Sequence, residues 1–460
     1  MTSNTPPQAL SYMSYAGHIR ALMILGLPLI GSHLGQIAIG ITDTVMLGWY
    51  GVDALAAITL GATYFHVFFL FGAGFAWAVM PLVATFAAED DEIGLRRATR
   101  MGLWLSAVFA VLSLPFLIYA GPILRLLGQS EQVAADAAEY LRIAGWGIIP
   151  ALGVMVIKSY LAALERTQAV LWIVIAAAVV NGVFNYAFIF GNWGAPEMGL
   201  AGAAWASVVT QLAMLVAVVA YARLVLPEHD LFRRLWKIDG SMLARVFSLG
   251  WPIGMTALSE AGLFSASAVM MGWLGTIPLA AHGVVVQLAG ITFMVHMGLS
   301  NAATVRASNA LGRQDRAHLA RGVKTATGLS IGFSVLTIML FLAFPVQLLS
   351  LWMDPQDPAA PAVLLLGTGL LAMGALFQLV DGAQVIALGA LRGVQDTKIP
   401  MIMAAVSYWG VGIAFSYVFG FTLGWGAIGV WLGLVVGLGC AAASLMWRFW
   451  RTAILVVAVK

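Results

Sequence analysis

Met46-Leu47-Gly48-Trp49-Tyr50-Gly51 returns as Met270-Met271-Gly272-Trp273-Leu274-Gly275, a shift of 224 residues from Met46 to Met270. The same shift, without gaps, carries Gly26-Leu27-Pro28 onto Gly250-Trp251-Pro252. It also carries Leu55-Ala56-Ala57 onto Leu279-Ala280-Ala281 and Arg97 onto Arg321. At a shift of about 227, Ala163-Leu164 meets Ala390-Leu391 and Gln168 meets Gln395. Several matches in one order mark an internal duplication, so the chain is read as two copies of one structural unit.

Composition says where that unit lives. Of 460 residues, 61% are hydrophobic and 9% charged, against roughly 25% charged in soluble domains. So little charge cannot cover a soluble protein of this size, which makes the chain an integral membrane protein. A net charge of +3 is too small to imply nucleic acid. The single cysteine, Cys440, excludes an intrachain disulfide framework and thiolate metal clusters. Met1 to Ala16 is polar and mixed, and the apolar stretch after it is too long for a signal-peptide core, so no cleavable signal is expected.

Hydropathy predicts twelve spans, at about 21–47, 54–84, 101–121, 139–161, 169–191, 200–222, 246–272, 279–304, 323–345, 361–389, 399–421 and 426–447. With both termini cytoplasmic, all of the 23 Lys and Arg except Arg125 and Arg142 fall on the cytoplasmic side, as the positive-inside rule requires. The expected organisation is a cytoplasmic tail 1–19, an N-lobe 20–222, a cytoplasmic linker 223–245, a C-lobe 246–447 and a cytoplasmic tail 448–460. Six spans per copy give both copies the same orientation. The predicted fold is therefore all-α, with two parallel six-helix lobes related by a pseudo-two-fold axis along the membrane normal.

Three carboxylates break the apolar pattern: Asp43 in the first span, Glu260 in the seventh and Asp381 in the tenth. Each costs roughly 2.5 kcal/mol or more at the bilayer centre. At the 224-residue shift Glu260 stands opposite Gln36, and Asp43 opposite Ser267, so the copies share a frame but not a polar code. One reading is protonated, hydrogen-bonded acids that serve helix packing. The other is acids facing an aqueous cavity, where they bind and release a proton or a hard cation such as sodium. Asn181 and Asn185, four apart on one helical face, can complete a site with Asp43 or bond between helices. His66, His282 and His296 lack metal-ligand spacing and read as packing or cavity residues. Gly429, Gly433 and Gly437 give two overlapping GxxxG spacings, which close helix packing explains. With no phosphate loop, nucleophile elbow or zinc motif, neither an enzyme nor an ATP-driven pump is expected.

The chain resembles the multidrug and toxic compound extrusion (MATE) family, most closely its NorM-type bacterial branch. The likeness runs from about 20 to 450. It is carried by Gly26-Leu27-Pro28, Thr42-Asp43-Thr44-Val45-Met46-Leu47-Gly48, Ala54-Leu55-Ala56-Ala57, Leu279-Ala280-Ala281-His282 and Asn309-Ala310-Leu311-Gly312-Arg313-Gln314-Asp315. Ala387-Leu388-Gly389-Ala390-Leu391-Arg392-Gly393 before Gln395-Asp396-Thr397 is a further marker. The resemblance implies a V of two lobes around a central cavity, and export of organic cations by exchange for protons or sodium, without a cofactor. It implies that Asp43, Asn181 and Asn185 form a polar cluster in the first lobe, and Glu260 with Asp381 an acidic pair in the second. Either set is a candidate sodium site. Asp43, Thr63, Glu260, Gln287, Phe377 and Asp381 are the implied substrate-cavity positions. Phe377 stands where some relatives carry a tyrosine linked to cation binding; losing the hydroxyl weakens a sodium site there and favours protons. A monomer in the bacterial inner membrane, with small organic cations and membrane lipid as partners, is the expectation. The alternatives are a flippase for lipid-linked precursors, disfavoured by acidic rather than cationic intramembrane charge, and an uncoupled channel or receptor.

Overall fold

The computed structural model describes residues 13–353 and 358–457. The parts of the expected tails at 1–12 and 458–460, with Lys460, lie outside the described residues. Twelve helices there are long and apolar enough to cross a membrane. They are α1 Tyr15–Tyr50, α2 Asp53–Ala88, α3 Glu92–Ile118, α4 Glu131–Ala163, α5 Thr167–Phe190 and α6 Gly199–Val225, then α7 Gly240–Leu274, α8 Thr276–Gly312, α9 Arg316–Ala343, α10 Ala360–Gly393, α11 Lys398–Thr422 and α12 Gly426–Val456. Most overrun the apolar windows of the sequence, because the helix continues into polar residues. α4 starts at Glu131, well before the expected 139, and takes in Asp136, Glu139 and Arg142. α1 begins at Tyr15, inside the expected tail 1–19.

The duplication extends to backbone detail. Asp90 and Gln314, separated by the same 224 residues, both have left-handed φ, at 57° and 53°. Each ends its helix in a turn that returns a backbone N–H to the last carbonyls: Asp91 N–H to Phe86 and Asp315 N–H to Ala310, both at 2.9 Å. The next residue starts the following helix. Asp91 accepts from Gly94 N–H, and Asp315 from His318 N–H, each at 2.8 Å. These are side-chain N-caps that satisfy otherwise orphaned donors.

Within the second half, α11 widens into π-helical turns at Val406–Ile413 and Val418–Thr422. The GxxxG residues of α12 lie against this stretch. A Cβ at Gly429 would stand 2.5 Å from Phe419 O, one at Gly433 2.2 Å from Ser416 N, and one at Gly437 2.5 Å from Gly412 Cα. Only glycine lets the two backbones approach so closely, and Ser416 Oγ donates across the seam to Val430 O at 2.9 Å. Gly433→Val is therefore expected to destabilise the protein by about 1–3 kcal/mol, read as a lower melting temperature in detergent.

The halves meet along α1, α2, α7 and α8. A Cβ at Gly74 would lie 2.4 Å from Gly254 N, and one at Gly298 2.4 Å from Ile30 Cγ1. Thr85 Oγ1 reaches Ser308 O at 3.4 Å, and Gln395 Nε2 donates to Thr85 Oγ1 at 3.2 Å. Asn301 Nδ2 meets His33 Nε2 at 3.0 Å. Arg97 pairs with Asp239, the residue capping α7. That guanidinium, with the Met242 N–H and the Ser241 hydroxyl, holds the Asp239 carboxyl well below the usual carboxylate range. A depressed value means that this stabilisation is present above the ordinary carboxyl pKa of about 4 and is lost only as pH falls through the lowered value. Among the described residues, hydrogen bonds between the halves stop at the His33–Asn301 pair. Beyond it, toward Gly51 and Gly275, side chains added at Gly40, Gly283 or Gly290 would meet nothing within 4 Å.

Candidate ion-coupling and substrate sites

Helices α1, α5 and α6 bring the first polar cluster together. Asn181 and Asn185 present their amides from one face of α5, as their four-residue spacing requires. Their amide nitrogens donate to Asp43 Oδ1 at 2.9 and 2.6 Å, and Asn185 also donates to Asn181 Oδ1 at 3.2 Å. Ser207 of α6, which the sequence did not single out, donates to Asp43 Oδ2 at 2.9 Å. Both carboxylate oxygens are thus engaged. Asp43 is only 8% exposed and the two asparagines are fully buried. Ser207→Ala would leave Oδ2 without its donor, at about 1–3 kcal/mol. The expected result is slower drug efflux with retained expression, a milder defect than Asp43→Asn gives in the same assay.

The second cluster is built differently. Gln384 of α10 donates to Glu260 Oε1 at 2.8 Å and accepts from the Tyr408 hydroxyl at 2.6 Å. Glu260 is thus tethered to α10 and α11 through one glutamine. Asp381, one turn before Gln384 on the same helical face, lies within electrostatic reach of Glu260. It is 1% exposed, and neither of its carboxyl oxygens has a close hydrogen-bond partner, although the Gln384 amide, committed to Glu260, also acts on it at longer range. Arg392, near the end of α10, also acts electrostatically on Glu260. Gln384 and Tyr408 were missed because neutral polar residues are common in membrane helices. The three-residue step from Asp381 to Gln384 was the one signal available.

Two expectations change. Phe377, an implied substrate-cavity position, is 1% exposed and packs in T-shaped contacts with Phe264 at 5.8 Å and Trp431 at 5.7 Å between ring centroids. Trp431 in turn donates through Nε1 to His282 Nδ1 at 3.1 Å, which closes the cluster from behind. Asp381 is likewise buried in this conformation, 1% exposed. Thr63 and Gln287 are exposed on α2 and α8. His282 and His296 have packing partners, His296 through Ser330 Oγ at 2.9 Å, and His66 stacks on Phe69. Among the described residues no group of three His, Cys, Asp or Glu gathers as a metal site.

A duplicated twelve-helix body whose halves part at one end, with buried carboxylates in both, has the architecture of a secondary transporter. A sequence model of the MatE family matches residues 28–187 and 252–418, one segment in each half, and the two matches begin the same 224 residues apart. The chain belongs to this family, the multidrug and toxic compound extrusion transporters. It is 42% identical over 440 residues to the probable multidrug resistance protein NorM of Rhizobium meliloti, covering 95% of this chain and 94% of that one. The protein of the same name from Synechocystis is 34% identical over 432 residues, covering 94% of each. Among solved structures, a MATE in the bent conformation superposes with a TM-score of 0.86 at 18% identity, covering 96% of this chain and 97% of the other. The eukaryotic MATE transporter AtDTX14 gives 0.86 at 17% identity, covering 96% and 98%. Members of this family are transporters of small molecules, not enzymes, and need no cofactor. The chain is accordingly a multi-pass membrane protein of the multidrug efflux class.

Proposed function

We propose that this protein exports amphipathic organic cations by antiport with protons or sodium, alternating between two arrangements of lobes 20–222 and 246–447. The observation that carries the reading is Asp381. A buried carboxyl with no close hydrogen-bond donor, reached only at longer range by the Gln384 amide and lying beside a second acid, has capacity left to bind a cation. Asp43, by contrast, already receives three donors. The Glu260–Asp381 pair is therefore the site where the coupling ion binds, and the Asp43 cluster holds its lobe's negative charge for the cargo. With both termini and the linker 223–245 on the cytoplasmic side of a bacterial inner membrane, the lobes part toward the outside. Ion entry into the second lobe then favours release of the drug there, since coupling needs only that ion and drug bind the two arrangements differently.

Proteoliposomes loaded with ethidium test this, with a sodium gradient and a pH gradient imposed separately. One of the two gradients should drive efflux against the drug gradient. Efflux that follows the drug gradient alone under both conditions would mean an uncoupled pathway, and the antiport reading would be wrong.

A further inference from the structure

We propose that the basic pocket between the start of α3 and the linker holds the phosphate-bearing headgroup of an anionic phospholipid from the adjacent leaflet. The cavity measures about 640 Å³. Six cations line it: Arg96, Arg97 and Arg100 from α3, and Arg233, Arg234 and Lys237 from the linker. The one carboxylate in its wall, Asp239, is committed to Arg97, to Ser241 Oγ at 2.8 Å and to Met242 N–H at 3.1 Å. Arg233 pairs with Asp230 at 3.1 Å. Arg96, Arg100, Arg234 and Lys237 are thus left with no carboxylate partner among the described residues.

Arg100 is the strongest pointer to a ligand. It is 7% exposed. One terminal nitrogen donates to the carbonyls of Arg233 and Arg234, at 3.3 and 3.1 Å, while its Nε is buried with no partner in the protein. A guanidinium N–H without an acceptor is unfavourable in a buried place, and a phosphate oxygen is the acceptor whose geometry it fits. The walls are fixed rather than loose. Trp104 Nε1 donates to Leu235 O at 2.8 Å and Arg96 Nε to His229 O at 2.6 Å, so both hold the linker against α3.

The surroundings select a lipid over free phosphate. Ile93 and Ile238 in the lining and Trp236 beside it are all well exposed, Trp236 at 78%. Apolar side chains around a cationic pocket at a helix end suit acyl chains below a bound headgroup, and tryptophan favours the membrane interface.

Native mass spectrometry of the purified full-length protein, titrated with dioleoyl phosphatidylglycerol, dioleoyl phosphatidylcholine or inorganic phosphate, tests the proposal. Phosphatidylglycerol should be retained in preference to phosphatidylcholine, and inorganic phosphate should not displace it. Arg100→Gln/Arg234→Gln/Lys237→Gln should lower the affinity for phosphatidylglycerol roughly a hundredfold, at about one factor of five per cation. Arg20→Gln/Arg313→Gln/Arg451→Gln, which removes equal charge elsewhere at the same end, should keep the parent's affinity. Lys237→Gln alone, roughly fivefold weaker, gives the same reading if the triple variant does not fold. Equal retention of the two lipids, displacement by inorganic phosphate, or an equal loss in the two triple variants would each overturn the proposal.

Discussion

Replacing Asp381 with asparagine is expected to stop gradient-driven drug efflux while leaving the protein folded in the membrane. The substitution keeps the shape of the side chain and removes only its capacity to carry charge. No close hydrogen bond is broken, and the weaker approach of the Gln384 amide can be kept by the asparagine carbonyl oxygen. The melting temperature should therefore hold or rise. The ion gradient should no longer drive efflux against the drug gradient, and the drug's affinity should lose its dependence on the ion, a coupling that is typically about 5–150-fold. Glu260→Gln makes the same point with a different control. Glutamine can still accept from Gln384 Nε2, so the tether to Tyr408 survives and only the charge is gone. Ethidium efflux from energised cells of a drug-sensitive host, beside melting curves of the purified variants, separates loss of coupling from loss of fold. If either variant exported ethidium as fast as the parent, the second-lobe pair would not be the coupling site.

Gly74→Leu should shift the protein away from the arrangement described above. Gly74 sits where α2 crosses α7, and even a Cβ there would lie 2.4 Å from Gly254 N and 2.5 Å from Gly250 O. Both contacts are backbone, which cannot swing aside as a side chain can. Overpacking of this kind costs about 1–3 kcal/mol, a factor of about 5–150 in the population of the state that contains the contact. Within each lobe nothing changes, so the protein should still fold. The readout is reaction of a maleimide with Thr63→Cys in a Cys440→Ser background. Thr63 is exposed on α2, and labelling should slow as the parted end closes. Transport should fall in parallel, since a carrier held in one arrangement cannot cycle. Parent-like labelling and transport would show that the Gly74–Gly254 contact does not decide between the two arrangements.

The scaffold was largely readable from the chain and the sites only in part, for definite physical reasons. Hydrophobic spans and a gapless repeat are long-range patterns, so twelve helices in two copies followed from them. Helix ends did not, because backbone hydrogen bonding carries a helix such as α4 past its apolar stretch to Glu131. The Asp43–Asn181–Asn185 cluster was legible since a charge and an i, i+4 amide pair stand out in apolar surroundings. Ser207 gave no such signal; it lies in a helix full of small residues, and only the packing of α6 on α1 singles it out. Gln384 and Tyr408 depend on how α7, α10 and α11 are rotated about their own axes, which one sequence does not specify. Phe377 shows the converse. The family resemblance implies a cavity wall there, while the ring is buried in T-shaped contacts with Phe264 and Trp431.

The halves are fastened at one end and apart at the other, which makes the molecule a wedge. A wedge displaces unequal areas in the two leaflets of a bilayer, and reversing it exchanges those areas. In the proposed cycle, the step from one arrangement to the other therefore does work against the lateral pressure of the acyl chains and the return step recovers it, with a sign set by which leaflet is the more crowded. Lipids with small headgroups and bulky tails, added to one side only, should tilt the balance between the two arrangements without touching a single residue of either binding site. Membrane composition would then set the balance between the two arrangements, and with it the pace of the proposed cycle, without adding to its driving force.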